Sequence, residues 1–140
     1  MGRWLGLDIG ERRIGVALSD ETRTLARPLL TLTRASKRAD FAQVLALCRA
    51  HQIDLIVAGL PKTLRNEEGP QARRVRRYVE ELSAAVGVPV AFCDERFSSV
   101  EAQERLAAGG RRARTRGDID SAAAAVILQA YINAGRPADY

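Results

Sequence analysis

The sequence predicts an α/β fold: a five-stranded mixed sheet whose first three strands form an antiparallel meander, with helices on both faces. Three observations lead there. Residues 5–18 hold two apolar runs joined by a tight, Gly-containing turn. A third strand-like run follows at 24–33 with no helical pattern in between. From residue 36 onward, helical and strand periodicities alternate, as crossover connections between parallel strands require.

Taken in order, Leu5, Leu7 and Ile9 alternate with Gly6, Asp8 and Gly10, the two-residue period of a strand. Gly10–Arg13 is of hairpin length, and Ile14–Leu18 is the returning strand. Thr24–Thr33 is the third strand, and Pro28 within it points to a sheet edge. Phe41, Val44, Leu45 and Cys48 recur at i, i+3, i+4 and i+7, one face of a helix over Ser36–His51. Ile53–Leu60 is a short apolar run stopped by Pro61, which suits an interior strand covered on both faces. Pro70 suits the first turn of a helix, and Val75, Tyr78, Val79, Leu82 and Val86 form its apolar stripe down to Gly87. Val88–Asp94 is the next strand. Ser98-Ser99-Val100-Glu101 has the form of a capping box opening a further helix through Leu106, which Gly109-Gly110 ends. A basic loop, 111–117, leads to a last helix from about Asp118 to Asn133. The order is β-β-β-α-β-α-β-α-α, with no internal repeat or linker, and residues 1–140 are expected to form one domain.

Composition narrows the class. Apolar residues make up 46% of the 140 and charged residues 28%, a globular balance. No apolar run approaches the roughly 20 residues of a membrane span. Met1–Trp4 enters the first strand at once, so no signal peptide is expected, and a cytoplasmic location is. Cys48 and Cys93 belong to no CxxC or CxxH pair and are read as reduced, buried thiols. Basic residues number 22 against 17 acidic ones, and all but Lys37 and Lys62 are arginine, which favours a polyanionic partner.

The acidic residues carry the chemistry. Asp8 ends the first strand, where a buried charge costs several kcal/mol unless it is paired. A cation would pair it; a turn closed by hydrogen bonds from backbone N–H groups is the other reading. Asp94-Glu95 follows the last strand, at the sheet edge where α/β folds place their sites. Asp120 opens the last helix. Ala124, Ile127 and Tyr131 continue its apolar face, so its carboxylate is expected to point towards the strand ends. Helix capping would equally account for Asp118 or Asp120, and pairing with Arg96 for Asp94 or Glu95. Oxygen ligands from separate elements select hard cations such as Mg2+ or Mn2+. Two such ions about 4 Å apart suit phosphodiester cleavage.

Leu7-Asp8-Ile9-Gly10, Arg13-Ile14-Gly15-Val16-Ala17, Gly59-Leu60-Pro61, Asp94-Glu95-Arg96-Phe97-Ser98-Ser99 and Asp120-Ser121-Ala122-Ala123-Ala124 together resemble the YqgF/RuvX family. Its members are bacterial RNase H-like proteins described as Holliday junction resolvases and as nucleases maturing the 5′ end of pre-16S rRNA. The likeness covers nearly the whole chain in the same order. It implies an RNase H-like fold and an acidic metal site, with Asp8, Glu95 and Asp120 as ligands by motif position. Asp118 matches less well, because the family's acid directly precedes Ser-Ala. The chain departs from the family pattern after Pro61, where a glycine near Asn66 or Glu67 is missing.

Candidate nucleic-acid contacts are Arg111, Arg112, Arg114 and Arg116 in the basic loop, Arg73 and Arg76 on the second helix, and Lys62 and Arg65 after Pro61. A solvated helix face is the plainer account of 73–77. Aromatic residues are only 5% of the chain, so recognition by backbone and shape is expected over base stacking. The leading function is a Mg2+- or Mn2+-dependent nuclease acting on ribosomal precursor RNA. A junction resolvase acting on branched or single-stranded DNA as a homodimer is the close alternative. A nucleotide-binding domain of the actin and sugar-kinase type would need a second domain, and a non-catalytic nucleic-acid binder would not need all three acids.

Overall fold

The computed structural model describes residues 2–61, 67–94 and 116–134, with backbone only at 116–118. Five strands, β1 (Arg3–Ile9), β2 (Arg13–Ser19), β3 (Ala26–Thr33), β4 (Ile53–Leu60) and β5 (Val90–Asp94), form one sheet in the order β3-β2-β1-β4-β5. The β1–β2 and β2–β3 pairs are antiparallel, and β1–β4 and β4–β5 are parallel. Among the described residues three helices accompany them: α1 (Lys37–His51), α2 (Pro70–Val86) and α3 (Arg116–Asn133). The expected mixed sheet, meander and edge position of β3 are all present. The register of β3 shifts beside Pro28, where an edge strand tolerates a residue without an N–H.

Local chemistry sets the boundaries. Ser36 caps α1 by accepting from the Ala39 N–H, and Gln52 stops it in a left-handed conformation. Pro70 starts α2 and Gly87, at φ 74°, ends it. β5 starts two residues later than Val88, after the turn at Gly87, and α3 begins at Arg116, inside the segment expected to be a loop. The helix expected from Ser98 lies outside the described residues.

Strand alternation sorts the side chains into two cores. Leu5, Leu7, Ile14, Val16, Leu18, Ile56, Ala58 and Leu60 meet Val44 and Cys48 of α1 and Val75, Tyr78, Val79 and Leu82 of α2. On the other face, Trp4, Ala17, Val57 and Cys93 meet Ala124, Ala125, Ile127 and Leu128 of α3. The rings of Trp4 and Tyr131 pack edge to face at 5.6 Å. Helices therefore cover both faces, α1 and α2 on one and α3 on the other. Cys48 and Cys93 are both buried free thiols, and burial pushes the Cys48 thiol up to about 11. No helix among the described residues is long and apolar enough to cross a membrane.

Candidate active site

The face of the sheet under α3 carries Asp8, and the start of α3 brings Asp120 to it. Gly6 of β1 and Gly15 of β2 lie on it, and each lets the helix backbone come close. A Cβ at Gly6 would stand 2.8 Å from Leu128 Cβ and 2.9 Å from the Ala124 carbonyl oxygen. A Cβ at Gly15 would overlap the backbone carbonyl of Asp120 itself. Ala122–Ala125 keep the helix thin enough for this approach, and Ala124 and Ala125 are fully buried.

That contact places Asp120 relative to Asp8. Asp8 pairs directly with Gly15 across the β1–β2 ladder, so the two share a face and their Cα atoms lie about 4.5–5.5 Å apart. The start of α3 rests on Gly15, next to the strand position that Asp8 occupies. Both acids are half-buried. The inward placement expected for Asp120 is thus what the structure has, and its cause is a glycine directly beneath its carbonyl.

Asp120 also has a partner that the sequence did not disclose. Arg13 opens β2 on the same face, two residues before Gly15, and its Nε donates to Asp120 Oδ2 at 2.8 Å. Side-chain exposure is 31% for Arg13 and 26% for Asp120, so the pair is partly shielded from water. The only sequence signal was parity: Arg13, Gly15 and Ala17 share one side of β2. The guanidinium is a cation already seated on one of the candidate ligands. Oxygen donors that draw a cation in this way fit a hard divalent metal in both type and charge. Among the described residues no group of three His, Cys, Asp or Glu gathers, and Glu95 lies outside them.

The remaining candidates separate by register and pairing. Asp94 pairs with Leu60 and Cys93 with Gly59, so Cys93 faces α3 while Asp94 belongs to the face of α1 and α2, away from Asp8. Arg76 is engaged: Nε and Nη2 hold the two oxygens of Glu68 at 2.9 and 2.6 Å, and its guanidinium lies 4.5 Å above the Phe92 ring. Hydrogen bonding to Glu68 raises its already high pKa further. Arg73 is exposed on the same helix. Lys62, Arg65, Arg111, Arg112 and Arg114 lie outside the described residues, as does the side chain of Arg116.

A 3-2-1-4-5 sheet, antiparallel on one side and parallel on the other, with a helix crossing β1 and β2 on one face, is the RNase H-like fold. Comparison with known proteins takes this further. The profile of the family described as "RuvX: Holliday junction resolvase" matches residues 2–134, and the chain belongs to that family. A relative from Anaeromyxobacter sp. (strain Fw109-5), named "Putative pre-16S rRNA nuclease", is 45% identical over 132 residues, covering 94% of this chain and 96% of its own. One from Roseiflexus sp. (strain RS-1), with the same name, is 41% identical over 140 residues, covering 96% of each chain. Among solved structures, RuvC of T. thermophilus in complex with a Holliday junction substrate superposes with a TM-score of 0.66 at 18% identity, over 96% of this chain and 97% of that one. The Fowlpox virus resolvase bound to Holliday junction DNA superposes with a TM-score of 0.54 at 10% identity, over 94% and 97%. At those identities the structures speak for the fold, and the family speaks for a nuclease.

Proposed function

We propose that this chain is a divalent-metal-dependent nuclease that trims the 5′ end of pre-16S rRNA, with Asp8, Glu95 and Asp120 as the residues that hold the metal. The observation that carries the reading is the seat of α3 on Gly15, which sets Asp120 beside the strand position paired with Asp8. The names of the relatives supply the substrate. Mg2+ or Mn2+, when bound, would supply Lewis acidity, lowering the pKa of a water and offsetting charge that develops on the phosphodiester.

The chain's own residues do the rest. Asp8, fixed by the β1–β2 ladder, and Asp120, fixed by helix docking, present carboxylates whose positions do not depend on a flexible loop. Arg13 holds the Asp120 carboxylate in one orientation and limits electrostatic repulsion between the acids before a metal arrives. With Asp120 given over to a metal, the Arg13 guanidinium would stand beside the cleavage site. There it is a fork-shaped donor suited to a phosphate oxygen. A site of this kind reads the backbone and not the bases, so selectivity comes from the shape of the RNA.

The test is a cleavage assay on ribosomal precursor RNA, single-stranded RNA and a four-way DNA junction in parallel, with and without EDTA. Precursor RNA should be cut fastest, EDTA should stop it, and Asp8→Asn or Asp120→Asn should slow it at least 100-fold. An Asp8→Asn protein that cleaves at the wild-type rate in Mg2+ or Mn2+ would sink the assignment. Junction resolution is the second reading, favoured by the family's description. It demands a symmetric dimer to make paired cuts, so a sedimenting monomer on junction DNA counts against it.

A further inference from the structure

On the opposite face of the sheet from Asp8 lies a cleft of about 300 Å3. Three separate segments wall it: Ile9-Gly10-Glu11 of the β1–β2 turn, Arg34 and Lys37 at the start of α1, and the first half of α2, including Arg74, Arg77 and Tyr78. Four of its lining residues are cationic and one, Glu11, is anionic.

The cations differ in how they are held. Arg34 is fixed: its Nη1 donates to the Gly10 carbonyl at 2.7 Å, its guanidinium lies 4.5 Å over the Tyr78 ring, and Nε is 3.9 Å from the buried Asp40 carboxylate. Asp40 is held in turn by the Ala35 N–H and the Tyr78 hydroxyl, each at 2.9 Å. Lys37 is paired with Glu81 at 2.8 Å. Arg74 and Arg77 are exposed and have no acidic partner among the described residues. One immobilised guanidinium and two unspent ones thus line the same cavity.

The location supplies the ligand. Asp8 and Ile9 are consecutive residues of one strand, so their side chains point to opposite faces at the same sheet edge. The cleft is lined by Ile9, one residue from the candidate acid, and by Gly10 and Glu11 of the turn that follows. A polymer with one negative charge per nucleotide, bound with a phosphodiester at Asp8, meets this cleft as it leaves. We propose that the cleft is a subsite for backbone phosphates of the single-stranded RNA flanking the cut, held by Arg34, Arg74 and Arg77. The inference rests on the nuclease reading above and adds to it the path of the strand. It also shifts the weight on α2 from Arg73 and Arg76 to the two arginines between and beyond them.

Binding without cleavage tests it. Fluorescence anisotropy in EDTA, with a labelled single-stranded RNA at several NaCl concentrations, gives the affinity and its salt slope. Arg74→Ala/Arg77→Ala is compared with Arg27→Ala/Arg49→Ala, which removes the same charge from exposed sites outside the cleft. The cleft variant should bind at least tenfold more weakly at moderate salt, and its slope should fall by about 1.4 log units, two phosphates' worth for a single strand. The control should keep the wild-type slope. Equal slopes in the two double variants would overturn the subsite and leave the nuclease reading intact, whereas a wild-type protein that binds no RNA would overturn that reading first. Calorimetry with inorganic phosphate forms the second arm. Phosphate binding lost in the cleft variant with RNA binding unchanged would make the cleft a small-anion site and overturn the proposal.

Discussion

Replacing Gly15 with alanine tests the geometry on which the candidate site depends, and Gly6→Ala provides its scale. At Gly6 the new methyl meets Leu128 Cβ at 2.8 Å and the Ala124 oxygen at 2.9 Å, where ordinary contact begins at 3.4 Å. The middle of α3 must therefore retreat by about half an ångström, an overpacking cost of about 1–3 kcal/mol. The loss of glycine's unfolded-state freedom returns about 0.4–1 kcal/mol of that. At Gly15 the methyl overlaps the Asp120 carbonyl, which is backbone and cannot rotate away. The first turn of α3 has to lift, so the cost should reach about 3 kcal/mol or more, a large part of a small domain's total stability. Asp120 lifts with it, and a displacement of about 1 Å in such a site is worth about 100-fold in rate. Trp4, the single tryptophan, packs against Tyr131 of α3 and reports helix docking by its fluorescence. Urea unfolding followed at Trp4, with cleavage rates measured on the folded fraction, should rank wild type above Gly6→Ala above Gly15→Ala. A Gly15→Ala protein with unchanged midpoint, emission and rate would refute the account.

Other perturbations probe the neighbouring contacts. Arg13→Gln removes the guanidinium that competes for Asp120, and a partly shielded charge-assisted hydrogen bond of about 1.5 kcal/mol predicts Mn2+ binding roughly tenfold tighter by calorimetry. Unchanged or weaker binding would show that Arg13 does not compete. Asp40→Ala strips partners from Tyr78, Arg34 and the Ala35 N–H at once and should cost about 2–4 kcal/mol in urea unfolding; a loss below about 1 kcal/mol would mean that water replaces the carboxylate. Burial and the Asp40 carboxylate push the Tyr78 phenol above its ordinary range. Its folded-state pKa exceeds the unfolded one, so its contribution is complete below about pH 10 and falls away as pH rises beyond it. Urea midpoints at pH 9 and pH 11 should therefore differ less in Tyr78→Phe than in wild type.

Much of the fold was legible because punctuation residues mark it. Pro61, Pro70 and Gly87 bound β4 and α2, and the observed limits Ile53–Leu60 and Pro70–Val86 fall where those residues require. Pro28 gave the edge of the sheet for the same reason. The start of α3 was less legible, since Arg116 and Gly117 carry no helix signal that outweighs a run of arginines. At the site, the inward side of Asp120 followed from the apolar stripe below it. What holds it there did not: Arg13 and Asp120 are 107 residues apart, and only the docked helix brings them together. Asp94 illustrates the opposite case. Its side of the sheet could be read only from the β4–β5 register, which pairs it with Leu60. The basic cleft was hidden for a related reason, because Arg34 and Arg77 become neighbours only through the packing of α1 on α2.

Ribosomes build a protein from its first residue onward, and here that direction matters. The hairpin bearing Asp8 emerges before the segment bearing Asp120, which follows more than a hundred residues later. A half-made copy, in the roles proposed, therefore holds one acid without its counterpart and has no means of cutting RNA. In those proposed roles, cleavage waits until α3 settles onto Gly6 and Gly15.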